Sequence, residues 1–263
     1  MSYEIILTEK QDGVFILTLN RPEKRNALNS ELWAEIAQAI EEFDADDDSR
    51  VLIVTNNGPC FCAGSDLKAI DAGTYHPPAG HEDDGFATIT GHYISKPVIA
   101  AVEGLCMGGG AEILLACDIG VISRDCIIGY PEVKRGLLAA GGAALLRQAR
   151  AIPVKFAMEL LLTGDSIDAQ TAVAWGLANH IAEPGRTLDK ALEIAAAIAA
   201  NGPVAIRRTK RLVYETMNQG WLKENNPGWD AVIAADPAIK ETEDAKEGTR
   251  AFAEKRPPVW RNC

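Results

Sequence analysis

Apolar positions recur along this chain in two rhythms. Up to about residue 186, short apolar runs alternate with stretches of helical period; beyond it only the helical period remains. Residues 3–9 and Val14-Phe15-Ile16-Leu17-Thr18-Leu19 read as two strands around a turn at Gln11-Asp12-Gly13. Leu32, Ile36 and Ile40, four apart with Phe43 beside them, predict a helix from Asn29. Val51-Leu52-Ile53-Val54-Thr55 and Val98-Ile99-Ala100-Ala101-Val102 do not alternate, as expected of strands covered on both faces. Further strands are predicted at 118–122, near Ile127-Ile128 and from Leu177 to Ile181. Helices are predicted from Ala111 to Cys117, over 143–150 after a glycine turn at 141–142, over 154–162 and from Ser166 to about Gly176. Pro153 opens the 154–162 helix and Thr163-Gly164 closes it. Strands alternating with helices point to parallel βαβ-type units, hence an α/β core. Residues 71–90 carry no period and read as a loop that shapes a pocket. From Leu188 onward the chain reads as helix, with a stop and restart at Asn201-Gly202-Pro203. The expected division is a core over 1–200 and a helical appendage over 201–263.

Charge and composition narrow the functional classes. Lys and Arg number 26 against 37 Asp and Glu, a net charge of −11, which argues against a nucleic-acid face or an anionic membrane surface. Hydrophobic residues at 47 % and charged residues at 24 % describe an ordinary globular protein rather than a disordered one. The first residues show no secretory pattern, and no run of ~18 apolar residues is long enough to span a bilayer. A chain this long needs no disulfide framework, so the six cysteines fit reduced thiols in the cytoplasm. Cys60 and Cys62 have no second Cys/His pair at ligand spacing, and no metal is expected.

Two segments share one plan: a buried strand ends in small residues and a helix starts at once. They are Ala63-Gly64-Ser65-Asp66-Leu67 and Met107-Gly108-Gly109-Gly110-Ala111-Glu112. Helix starts leave backbone N–H groups unpaired at the positive end of the dipole. Two such turns facing each other would offer two donors to one oxygen gaining negative charge. The same glycines could equally serve tight turns and close packing. Glu112 lies three residues beyond Gly109, so both fall on one face of the helix start within an apolar run. Glu132, in Tyr130-Pro131-Glu132, reads as a turn carboxylate that is either exposed or paired with Glu112 in proton transfer. Lys24, Arg25 and Lys68 are candidate phosphate contacts or plain surface cations. His76, His81, His92 and His180 have no recognisable nucleophile partner. No dinucleotide fingerprint, phosphate loop or nucleophile elbow is present, which opposes a nicotinamide-dependent dehydrogenase.

From about Tyr3 to Arg261 the chain resembles the crotonase superfamily, and within it the enoyl-CoA hydratases. The resemblance rests on Leu19-Asn20-Arg21-Pro22, Asn26-Ala27-Leu28-Asn29, Phe61-Cys62-Ala63-Gly64-Ser65-Asp66-Leu67-Lys68, Lys96-Pro97-Val98, Gly108-Gly109-Gly110-Ala111-Glu112, Tyr130-Pro131-Glu132 and Glu247-Gly248, in this order. It implies a spiral of ββα units with a C-terminal helical region that forms homotrimers, often stacked into homohexamers. It also implies that the backbone N–H groups of Ser65 and Gly109 hold a thioester oxygen, and that Glu112 and Glu132 handle water and protons. The implied coenzyme A contacts are Lys24, Arg25, Ala27, Ala63, Asp66, Leu67, Lys68 and, across a subunit boundary, Lys255. Coenzyme A belongs to the acyl-CoA substrate, so no separate cofactor is implied. The expected reaction is syn addition of water to a trans-2-enoyl-CoA in fatty acid β-oxidation. The alternatives are Δ3–Δ2 isomerisation or a carnitinyl-CoA or steroid-side-chain type of dehydration, although isomerising relatives often keep only one of the two glutamates. Two departures, Ala139 where many hydratases carry proline and Ser65 where alanine is frequent, bear on acyl preference. An RNA-binding relative of the fold is opposed by the −11 charge.

Overall fold

The computed structural model describes residues 3–139, 151–217 and 226–263. The predicted turn at 141–142 and helix at 143–150 lie outside them.

Among the described residues ten strands form two sheets. The larger takes β1 (Ile6–Gln11), β2 (Val14–Leu19), β3 (Val51–Asn56), β5 (Val98–Val102), β7 (Ile119–Ser123) and β10 (His180–Ala182), in that spatial order. All its pairings are parallel except the β1–β2 hairpin. The smaller sheet takes β4 (Cys60–Cys62), β6 (Leu105–Met107), β8 (Ile127–Gly129) and β9 (Ser166–Asp168). Successive pairs (β3 with β4, β5 with β6, β7 with β8) send a longer strand to one sheet and a three-residue strand to the other. The short strands of the first two pairs lead into helices α2 (Leu67–Asp71) and α3 (Gly109–Ala116), and β8 leads into a 3₁₀ turn over Pro131–Arg135. Repetition of this unit winds the chain and brings the ends of β4, β6 and β8 side by side.

The unalternating apolar runs are explained by layers on both faces of the larger sheet. Leu52 and Val54 join Phe15 and Leu17 beneath α1 (Ser30–Ala45), which presents Leu32, Ile36, Ile40 and Phe43. Val51 and Ile53 point the other way, with Ile99, Ala101 and Val121, onto Ala191 and Ala195. Those alanines lie on a later helix, Thr187–Ala199. Asn29 caps α1 by accepting from the Leu32 N–H at 3.0 Å, as the sequence predicts. At the other end of α1, buried Lys96 donates to the Phe43, Asp44 and Asp46 carbonyls at 2.7, 3.3 and 2.7 Å. A cation there meets the orphan carbonyls of the helix end.

Among the described residues the remaining helices in chain order are α4 (Val154–Thr163), α5 (Ala169–Trp175), α6 (Thr187–Ala199), α7 (Pro203–Thr216), α8 (Pro227–Lys240) and α9 (Glu243–Glu254). α4 ends on Gly164 in the left-handed conformation, as the Thr-Gly stop predicts. The helix expected from Ser166 begins instead at Ala169. Ser166-Ile167-Asp168 pairs antiparallel with Ile127–Gly129, and Asp168 caps the helix, accepting from the Thr171 N–H at 2.8 Å. β4 and β6, not predicted as separate strands from the sequence, are too short to carry a period. Among the described residues no helix is long and apolar enough to cross a membrane. Cys60, Cys62, Cys106, Cys117 and Cys126 are buried free thiols, and Cys263 is exposed.

Candidate active site

Both small-residue turns open into one cleft of about 1220 Å³. Gly64 makes this possible. With φ +90°, it sits so close to the second turn that a Cβ on it would lie 3.2 Å from the Gly109 nitrogen. The Ser65 amide faces the cleft for a reason of pairing. In the parallel bridge between Leu28 and Ser65, Leu28 makes both bonds: its N–H donates to the Gly64 carbonyl at 2.8 Å and its carbonyl accepts from the Asp66 N–H at 2.8 Å. Ser65 is left with its own N–H turned away from that strand. Gly109 is the first residue of α3, where an N–H has no intrahelical acceptor. Among the described residues neither amide donates to a protein group.

Two carboxylates border the same cleft. Glu112 lies on the first turn of α3, 2 % exposed among apolar neighbours. Glu132 begins the 3₁₀ turn after β8, and its Oε1 is 2.8 Å from where a Cβ on Gly108 would stand. Its Oε2 is buried without a hydrogen-bond partner. Burial pushes the Glu132 carboxyl above its usual range, opposed by a bond from its own backbone and the charge of Arg135. Of the two sequence readings of Glu132, the exposed turn carboxylate is therefore set aside. Tyr130 ties the carboxylate-bearing elements together, its hydroxyl donating to the Ala111 carbonyl at 3.3 Å. Burial first, then the Cys106 thiol and the charges of Glu112 and Glu132, raise this phenol far above its usual value.

The outer cleft is basic and polar. Lys24, Arg25 and Lys68 line it with exposed side chains, and Ala27, Ala63, Asp66 and Leu67 lie beside them. Asp66 has a structural task as well. It caps α2 by accepting from the Lys68 and Ala69 N–H groups at 3.1 and 3.4 Å, and it pairs with Arg21 at 2.9 Å. Burial alone would raise its carboxyl, but the Arg21 bond, the two cap bonds and the Arg21 charge outweigh that and lower it. Asn26 anchors the loop from beneath: its Oδ1 accepts from the Arg21 N–H at 2.7 Å, and its Nδ2 donates to the Asn57 and Cys60 carbonyls at 3.1 and 2.8 Å. Lys255, at the C-terminal end of α9, is not brought to the cleft of its own chain.

Several cleft residues were not singled out from sequence. Arg135 stands three residues after Glu132 in a 3₁₀ turn, where i and i+3 eclipse, so both point into the cleft. Phe86, Leu137 and Leu138 add apolar wall. Phe86 gave no signal because residues 71–90 lack a period. A ring pressed on a glycine far away in sequence is a tertiary fact.

Two amides without a protein acceptor and two carboxylates on the same cleft are an arrangement that can stabilise an enolate-like charge while protons move next to it. The family profile described as enoyl-CoA hydratase/isomerase matches residues 9–262, and the chain belongs to that family. It is 40 % identical, over 97 % of this chain and 96 % of the relative, to an enoyl-CoA hydratase of Mycobacterium tuberculosis H37Rv. A crystal structure of an enoyl-CoA hydratase from the same organism superposes with a TM-score of 0.90 at 41 % identity, covering 98 % of this chain and 99 % of the other. A structure described as a carnitinyl-CoA dehydratase from Mycobacterium avium 104 superposes with a TM-score of 0.78 at 41 % identity, over 98 % and 99 % of the chains. The fold is the crotonase-like α/β spiral that the sequence resemblance implied.

Proposed function

We propose that the protein is an enoyl-CoA hydratase acting on a trans-2-enoyl-CoA to give the 3-hydroxyacyl-CoA. The observation that carries this reading is the placement of two carboxylates, Glu112 and Glu132, on one cleft with the unpaired Ser65 and Gly109 amides. In this reading the thioester oxygen lies between the two N–H groups and a water lies between the carboxylates. Glu112 takes a proton from the water as its oxygen bonds to Cβ. The Cα–Cβ π electrons move to the thioester as an enolate, and Glu132 delivers a proton to Cα. Each amide bond strengthens as the enolate charge develops and so favours the transition state, by about 2.7–4 kcal/mol for a single donor. Burial favours the protonated form of Glu132, which suits an acid.

Lys24, Arg25 and Lys68, with Ala27, Ala63, Asp66 and Leu67, receive the coenzyme A moiety, and Lys255 reaches the substrate of a neighbouring subunit. The substrate brings its own coenzyme A, and the residues above account for the reaction without a further group. We assign 201–263 to oligomer contacts in a homotrimer or homohexamer. Exposed Val213, Ile233 and Phe252 on α7–α9 support this. The buried free thiols fit a cytoplasmic enzyme of fatty acid β-oxidation. The test is loss of enoyl-thioester absorbance when the protein is added to crotonyl-CoA and longer trans-2-enoyl-CoAs. Growth of a 3-hydroxyacyl product is expected, and a flat trace at every chain length overturns the reading.

A further inference from the structure

Residues 72–90 do more than wall the cleft. The Tyr75 and Ser65 hydroxyls share a hydrogen bond of 2.9 Å. The Tyr75 ring lies 5.6 Å from that of Trp33, and the Trp33 ring 6.2 Å from that of Phe86. Trp33 Nε1 also donates to Thr88 Oγ1 at 3.1 Å. Phe86 in turn rests on the second amide turn: a Cβ on Gly109 would meet its Cε1 and Cε2 at 2.6 Å. Ala87 and Thr88 follow with φ of 56° and 58°, both fully buried. Left-handed backbone is sterically costly for alanine and more so for a β-branched threonine, so it persists only where the surroundings over-determine it. Trp33, anchored in α1, supplies that constraint. One continuous chain of contacts therefore runs from the Ser65 turn, through Tyr75, Trp33 and Phe86, to Gly109.

We propose that this aromatic brace sets the positions of both oxyanion donors: Tyr75 holds the Ser65 turn through its hydroxyl, Phe86 fixes Gly109 by contact, and Trp33 couples the two. The proposal rests on the reading of Ser65 and Gly109 as amide donors. Tyr75 is a positioning residue, since it stands behind the cleft wall and acts through Ser65. Burial pushes its phenol up to about 12 against the lowering effect of the Ser65 bond, so the group stays protonated and the bond is kept at neutral pH.

The test uses two probes on the full-length protein. Crotonyl-CoA reports turnover. Acetoacetyl-CoA ionises to an enolate with its own ultraviolet absorbance, so the enolate fraction bound at fixed pH reports how well the two amides grip the oxygen, independently of hydration. Tyr75→Phe keeps the ring and removes the hydroxyl. We expect kcat to fall about 10-fold with KM within about twofold, and the bound enolate to fall in parallel, the scale of one lost hydrogen bond. Ser65→Ala deletes the same bond from the other side, so the double variant should lose no more than the worse single one. If Tyr75→Phe does not fold, Ser65→Ala carries the test alone. Retention of kcat and enolate signal within twofold in the folded variants, or losses that multiply in the double variant, overturns the brace. A wild-type protein that binds the enolate but hydrates no enoyl-CoA overturns the hydratase reading, and the variants then judge the brace by the enolate signal. A wild-type protein with no enolate signal overturns the donor reading and the brace together.

Discussion

Gly108 is where a single added carbon should separate catalysis from folding. Its backbone, φ 56° and ψ −124°, lies in territory that only glycine occupies easily, and an alanine held there costs about 1–3 kcal/mol of stability. The added Cβ would also stand 2.8 Å from Glu132 Oε1 and 3.6 Å from Cδ. Carbon and oxygen pack comfortably at ~3.3 Å or more, so the carboxylate end has to retreat by roughly 0.5 Å. A misplacement of about 1 Å can cost ~10²-fold, which scales to a loss of about 10-fold in kcat with little change in KM. Gly185→Ala is the matched control: φ is +77° and nothing lies within 4 Å of its Cβ, so it carries a backbone cost alone. Denaturant unfolding measures the stability loss of each variant, and initial rates on crotonyl-CoA measure turnover. Rates for Gly108→Ala no lower than those for Gly185→Ala would refute the claim that the Gly108 turn seats a catalytic Glu132.

Three further variants test the same geometry. Glu132→Gln should lower turnover by about 10²–10⁴ while keeping acyl-CoA binding by titration. Because burial raises the Glu132 carboxyl in the folded protein, its ionised form opposes folding, and that penalty is absent below the unfolded-state value and grows as pH rises through the folded one. The Gln variant should therefore melt above wild type at neutral pH but not at pH ~4; coincident melting at neutral pH counts against it. Arg135→Gln removes a charge that favours ionised Glu132, so the alkaline limb of kcat/KM should move to higher pH; an unmoved or lowered limb excludes the coupling. Asn26→Ala removes three hydrogen bonds to the backbone, one buried and two part-buried, and its cost in a denaturant midpoint should be about 2–4 kcal/mol; a loss below ~1 kcal/mol would mean water replaces the side chain.

What the sequence disclosed follows from how local each signal is. Leu52 and Val54 face one helix layer and Val51 and Ile53 the other, so doubly covered strands announced themselves as unbroken apolar runs. Glu112 was legible because a carboxylate inside an apolar helix is conspicuous wherever it occurs. Glu132 was ambiguous, since its burial comes from the Gly108 turn, which is distant in the chain. β4 and β6 hold three residues each and carry no rhythm. Ser166 and Asp168 are both good caps, and pairing with β8 decided between them. Tyr75 and Phe86 left no trace, because their partners Ser65 and Gly109 were visible only as small residues in turns.

Gly108, Gly109 and Glu112 fall within five consecutive positions of one chain segment, and Glu132 leans on the first of them. Inserting or deleting a residue between Gly109 and Glu112 would turn the carboxylate about 100° away from the proposed donor, so the spacing works only as a block. The neighbouring wall formed by Leu137 and Leu138 carries no such constraint. Laboratory evolution of altered chain-length preference should therefore begin by randomising that wall while leaving the block intact.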